Sequence, residues 1–143
     1  FLLIITTTSC GNYESIYSSK KNNFNIISIE SDQSNQINSK IKNSLRTFSN
    51  PESNKNFFIK FNSKKTIIVT SKNSKGDPKT YSMRIKLNLE IEENGKKKNS
   101  TFAESFDYNN KSNKFDLKKY ERNIQNNLID KIIENVTLYL STI

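Results

Sequence analysis

Histidine and tryptophan are absent from the 143 residues, cysteine occurs once, at Cys10, and glycine only at Gly11, Gly76 and Gly95. Without imidazole there is no His general base and no Cys–His nucleophile. A lone thiol cannot close an internal disulfide, and with no His beside it one chain cannot assemble a Cys/His zinc site. So few glycines leave neither a Gly-rich phosphate cradle nor a Gly-x-Ser-x-Gly elbow. What remains is carboxylate, Ser and Lys chemistry with no accompanying signature. The expectation is a protein that is not an enzyme and holds no metal and no dissociable cofactor.

Arginine is scarce as well. Of 23 basic residues only Arg46, Arg84 and Arg122 are arginines, against 14 acidic residues, for a net charge of +9. That balance favours anionic partners such as phosphate-rich surfaces. The interleaved aromatics and arginines of nucleic-acid surfaces are missing, so no nucleic-acid partner is expected. Lysine, asparagine, isoleucine and serine dominate throughout, so a lysine excess carries little information by itself. The hydrophobic fraction, 33%, is low, which calls for a small core. Nine Phe and six Tyr supply large buried areas per side chain and partly compensate.

Long apolar runs are lacking too. Phe1 to Ile5 is five residues, far short of the roughly 20 needed to cross a bilayer. It is followed by Thr6-Thr7-Thr8-Ser9-Cys10-Gly11. An apolar stretch, then small residues, then a single Cys is the order of a secretory signal ending in a lipobox. Residues 1–9 are therefore expected to be the remnant of a lipoprotein signal peptide, with its basic start missing. Cys10 is expected to be the lipidated residue, bearing diacylglycerol and an N-acyl chain, because more than one chain is needed for firm anchoring. Thr7 stands where the motif usually has Leu. Gly11 in place of Asp is compatible with sorting to the outer membrane. The polar stretch 11–23 reads as a tether, so that residues 10–23 form the anchor and 24–143 one domain.

Within that domain, Phe24 to Glu30 is short, β-branched and apolar, hence a strand. Ile37, Ile41, Leu45 and Phe48 recur at helical spacing over 33–48, with Asp32 or Ser34 as the expected cap and Pro51 as the stop. Phe57, Ile59, Phe61, Ile67 and Val69 share one parity of a second strand. Ser63 and Lys65 interrupt that face, so a bulge is expected midway. After the turn at Asn73 to Pro78, Tyr81, Met83, Ile85, Leu87, Leu89 and Ile91 alternate without a fault against polar residues. Asn94-Gly95 is a hairpin signal. The return strand, about 97–108, places Phe102, Phe106 and Tyr108 on one face, and Glu104 on that face implies either an edge or a shifted register. From Lys114 to about Leu140 an apolar stripe runs from Leu117 through Ile124, Leu128, Ile132 and Val136.

The order βαβββα, with one apolar face per element, predicts an α/β (α+β) two-layer sandwich. Two helices pack on one face of a four-stranded mixed sheet, whose first strand is parallel to its neighbour across the helix crossover.

A lipobox Cys, a short tether and then βαβββα together resemble the lipopolysaccharide-assembly lipoprotein family LptE. The likeness is carried by Ser9-Cys10-Gly11, by Tyr81 to Leu89 as a long third strand, by Phe102 to Tyr108 with the polar loop Asn110 to Phe115, and by Tyr120 to Ile132 in the last helix. The resemblance implies a non-catalytic plug, one to one, in the lumen of the outer-membrane β-barrel LptD. It also implies lipopolysaccharide binding through a basic surface. The candidate residues are Lys60, Lys64, Lys72, Lys75, Lys79, Arg84 and Lys86. If the second and third strands pair, Lys60, Lys64, Arg84 and Lys86 line one face. The alternative is a free-standing, periplasm-facing lipoprotein that binds a lipid or other anionic ligand in the concavity between helices and sheet.

Overall fold

The computed structural model describes residues 22–143. Cys10, the signal remnant and the tether up to residue 21 lie outside the described residues.

Six elements follow in chain order: β1 (Asn25–Ser31), α1 (Gln36–Thr47), β2 (Asn56–Lys72), β3 (Pro78–Glu93), β4 (Lys96–Asn109) and α2 (Lys114–Thr142). The strands form one sheet in the order β1-β2-β3-β4. β1 runs parallel to β2, and the β2–β3 and β3–β4 pairs are antiparallel. This is the predicted mixed sheet with two helices.

Helix α1 starts at Asn35, whose side-chain oxygen accepts from the Asn38 amide at 2.9 Å. Asn35 therefore caps the helix, rather than Asp32 or Ser34. The cap must sit where its oxygen reaches an orphan amide of the first turn, and only position 35 does so. Beyond α1, the Ser49 hydroxyl takes the Ile26 amide at 2.7 Å and the Asn50 amide bonds the Phe24 carbonyl at 2.8 Å, tying the crossover back to β1.

β2 contains no bulge midway. It pairs with β3 in unbroken register from Phe58↔Glu92 to Val69↔Tyr81, and the register shifts only near the hairpin, at Val69/Ser71 and Ser71/Lys72. The two polar residues that looked like an interruption face the helices and find partners there. The Ser63 hydroxyl donates to Asn38 Oδ1 on α1, and Lys65 Nζ donates to Gln125 Oε1 on α2 at 2.8 Å. A polar side chain with a built partner keeps its place in a strand without disturbing the ladder. β4 likewise keeps register from Thr80↔Asn109 to Glu93↔Lys96, so Glu104 marks an edge strand and no shift. Its carboxylate accepts from Asn135 Nδ2 at 3.0 Å. Asn94 and Gly95 both take positive φ, at 51° and 75°, as a two-residue hairpin of opposite hand requires.

A single core lies between sheet and helices. Met83, Ile85, Leu87, Leu89 and Ile91 contribute one face of β3, and Phe57, Ile59 and Phe61 the matching face of β2. Ile41 and Leu45 of α1 and Leu128, Ile129, Ile132, Val136 and Leu140 of α2 close it from the other side. Ile67 and Val69 have the parity of this face but remain exposed, because the helices do not cover the hairpin end of β2. Phe106 is also half exposed, at the open edge. Among the described residues no helix is long and apolar enough to cross a membrane.

Candidate functional site

The solvent face of the sheet is built by the alternate residues of β2, β3 and β4. Pairing of β2 with β3 sets Lys60 opposite Glu90, Asn62 opposite Asn88, Lys64 opposite Lys86 and Thr66 opposite Arg84. The expectation that Lys60, Lys64, Arg84 and Lys86 share one face therefore holds in the register. Their environments differ, however. Lys60 Nζ lies 3.9 Å from Glu30 of β1, and Glu90 takes Lys97 Nζ of β4 at 3.0 Å, so that end of the face is charge-balanced. The hydrogen bond to Glu90, reinforced by its negative charge, raises the Lys97 pKa above the ordinary lysine value.

A polar ladder crosses the sheet next. Asn62 donates to Asp32 at 3.3 Å, Asn88 to Asn62 at 3.0 Å, and Thr101 to Asn88 at 3.1 Å. Beyond it lie Lys64, Lys86 and Arg84, all exposed, with no ion pair among the described residues. Directly opposite side chains in a sheet stand about 5 Å apart at Cβ, and like charges there are unfavourable. Lys64 facing Lys86, with Arg84 one rung on, is thus a small cationic patch held on rigid strands. Across the β3–β4 pair Lys86 and Arg84 face the uncharged Ala103 and Ser105, and the next residue of β4 on this face is Asp107, opposite Ser82 and diagonal to Arg84.

Lys72, Lys75 and Lys79 do not join this patch. Lys72 closes β2, Lys75 sits in the Asn73–Asp77 turn, and Lys79 opens β3 with the parity of the core face. The turn is fixed by Asn73, whose Oδ1 accepts from the amides of Lys75 at 3.0 Å and Asp77 at 2.9 Å, while Gly76 takes φ of 86°. The seven candidates thus fall into three groups: a neutralised Lys60, a free trio at Lys64, Arg84 and Lys86, and a hairpin trio. Glu30, Glu90 and Lys97, which create the division, were missed from sequence. The only signal for them was cross-strand register, and β1 against β2 is a pairing that no local pattern specifies.

The structure superposes on that of rare lipoprotein B from Shewanella oneidensis with a TM-score of 0.60 at 12% identity, over 80% of this chain and 96% of that one. It superposes on a protein described as a lipoprotein from Caulobacter crescentus with a TM-score of 0.57 at 9% identity, over 82% and 88% of the two chains. The chain has the fold of these lipoproteins. No protein-family model and no curated protein matches it.

Two further features complete the chemistry of the described residues. Near the start of α2, the Tyr108 hydroxyl donates to Glu121 at 2.7 Å, its ring stacks on Tyr81 at 5.5 Å, and Tyr120 meets it edge-on at 6.1 Å. Burial first, and then the Glu121 carboxylate, push the Tyr108 hydroxyl well above the ordinary tyrosine range. The second is a cavity of about 770 Å³ between α1 and α2, lined by residues including Phe48, Ile133, Glu134 and Leu138. Most of the space between helices and sheet, where a ligand was the alternative expectation, holds core side chains, and a smaller cavity of about 210 Å³ opens between Phe106 of β4 and Tyr120, Ile124 and Leu128 of α2.

Proposed function

We propose that this chain is an envelope lipoprotein of the LptE kind, anchored through acylated Cys10 on the periplasmic side of the outer membrane and seated one to one in the lumen of an LptD-type β-barrel. It works without catalysis. Its rigid sheet presents Lys64, Arg84 and Lys86 to the phosphates of lipopolysaccharide, with the hairpin lysines as a second contact. Support comes from the lipoprotein fold, a fold-level analogy, and from the lipobox order around Cys10. The single observation that carries the lipid-phosphate reading is the trio itself. Lys64 directly opposite Lys86 costs folding energy, and a bound polyanion recovers it.

The test is purification of the full lipidated chain from detergent-solubilised membranes. One large β-barrel in near-equal amount is the expected companion, and a monomer with none would refute the plug. In parallel, lipopolysaccharide retention should fall for Lys64→Glu with Lys86→Glu and stay unchanged for Lys60→Glu, whose ammonium already has Glu30 beside it. The free-standing reading has one observation in its favour, the open groove between α1 and α2. Acyl-chain density or a co-purified lipid there, with no barrel, would establish it instead.

A further inference from the structure

Along its first residues β2 is paired on both sides, with β1 over Asn56 to Phe61 and with β3 from Phe58 onward. β1 ends at Ser31, and the Asp32 amide makes the last contact on that side, donating to the Phe61 carbonyl at 3.2 Å. From there to the hairpin one side of β2 has no strand partner among the described residues. The direction of the Phe61 carbonyl fixes which groups are left open. Backbone direction alternates along a strand, so the N–H and C=O groups of Ser63, Lys65, Ile67 and Val69 point out of this edge, while the even-numbered ones serve the β3 ladder.

Three consecutive apolar residues occupy that stretch, with Ile67 39%, Ile68 55% and Val69 42% exposed. A long apolar edge is a template for another strand, and proteins protect such edges with short length, bulges, proline or lysine. Here the apolar triplet is bracketed by Lys64 and Lys65 on one side and Lys72 on the other, and β2 carries no acidic residue at all. Antiparallel pairing with a second copy would align these lysines from both chains along one seam with nothing to neutralise them. Charge therefore disfavours self-association and matches a strand of the opposite kind.

We infer that the open edge of β2 from Ser63 to Val69 is a β-augmentation site that accepts an extended segment of another protein, β-branched in the middle and acidic at both ends. Backbone hydrogen bonds supply the affinity, contact with Ile67, Ile68 and Val69 supplies the apolar burial, and the flanking lysines select the charge. The site needs neither lipid nor barrel, so it stands apart from the function proposed above.

The probe is an acetylated, amidated peptide, Glu-Thr-Val-Thr-Val-Thr-Val-Thr-Glu, titrated against the full chain. Binding should slow hydrogen exchange at the Ser63, Lys65, Ile67 and Val69 amides. Ile67→Pro deletes one outward donor and leaves the β3 ladder whole, because its N–H faces the open edge. It should lose at least about tenfold in affinity with an unchanged circular-dichroism spectrum, one power of ten being the step that a lost backbone bond and strand distortion produce together. The same peptide N-methylated on its alternate edge-facing amides should not bind, which tests the mode on unaltered protein should Ile67→Pro unfold. A Lys-ended version should bind the Lys64→Glu, Lys72→Glu double variant in preference to the native chain. The inference is overturned if the acidic peptide does not bind the native chain, if N-methylation leaves affinity intact, or if the same amides are protected by concentration-dependent dimerisation of the protein alone.

Discussion

Replacing Asn38 by Ala tests why β2 runs straight. Asn38 is 2% exposed, and its side-chain amide joins α1 to β2 and to the loop before α1. Nδ2 donates to the Gln33 carbonyl at 2.7 Å, and Oδ1 accepts from the Ser63 hydroxyl and so ties α1 to β2. Each buried hydrogen bond contributes about 1 kcal/mol net, and the partner left without one adds a desolvation cost of similar size. Truncating the side chain also leaves a small void. Together these give about 2–3 kcal/mol of destabilisation for Asn38→Ala. Ser63→Ala should cost about 1–2 kcal/mol, since it strands a buried Oδ1. Made together, the two should cost less than their sum by about 1 kcal/mol, the signature of a direct contact. With no tryptophan in the chain, urea unfolding is best followed by far-ultraviolet circular dichroism. At an m-value typical of small domains, Asn38→Ala should lower the midpoint by about 1–2 M with m unchanged. A loss below about 0.5 kcal/mol, the range of ordinary surface substitutions, would refute the view that this polar bridge holds the strand in register.

Four other outcomes are expected. The Tyr108 pKa is raised in the folded state, so its contribution is complete below the unfolded value near 10 and is lost as pH climbs through the folded one; a Tyr108→Phe variant should show a flatter decline of melting temperature above pH 10 than the native chain. Ile132→Ala empties a position with no exposure at the centre of α2 and should cost about 3–4 kcal/mol in calorimetry. Lys86→Glu removes the like-charge opposition to Lys64 and should stabilise the domain by about 0.2–1 kcal/mol at low salt, an effect that fades at high salt, while lowering lipopolysaccharide retention. Cys10→Ser should abolish incorporation of radioactive palmitate and leave the circular-dichroism spectrum unaltered, and palmitate labelling of that variant would refute the lipobox reading.

The parts of the fold that were readable in sequence are those where one element's two faces differ sharply. The alternation from Tyr81 to Ile91 and the stripe from Leu117 to Val136 announce both their secondary structure and their buried side, and the structure buries nearly all of those residues. Ser63 and Lys65 misled because the reason they are tolerated, Asn38 and Gln125, lies on two other elements. Ile67 and Val69 show the complementary failure. Their parity was right and their burial was not, since burial depends on whether a helix reaches across, which no strand pattern encodes. The candidate site divides in the same way. Shared parity placed Lys64, Arg84 and Lys86 together, but the pairing of Lys60 with Glu30 depends on a parallel register set by the whole β1–α1–β2 crossover.

The length of β2 also fixes a distance. The described chain enters beside the beginning of this strand, where Asn25 pairs with Asn56 and the Asn23 amide donates to the Ser141 carbonyl at the end of α2. The Asn73–Asp77 turn with Lys75 closes the other end, 17 strand residues away. At about 3.3 Å per residue that is roughly 55 Å. The covalent leash from Cys10 to Asn22 cannot exceed about 43 Å even when fully drawn out. An acyl anchor at Cys10 therefore cannot fold back to the hairpin along the sheet. The hairpin lysines thus stand at the far end of a rigid strand from the point where the described chain enters, and they meet whatever surface that far end reaches.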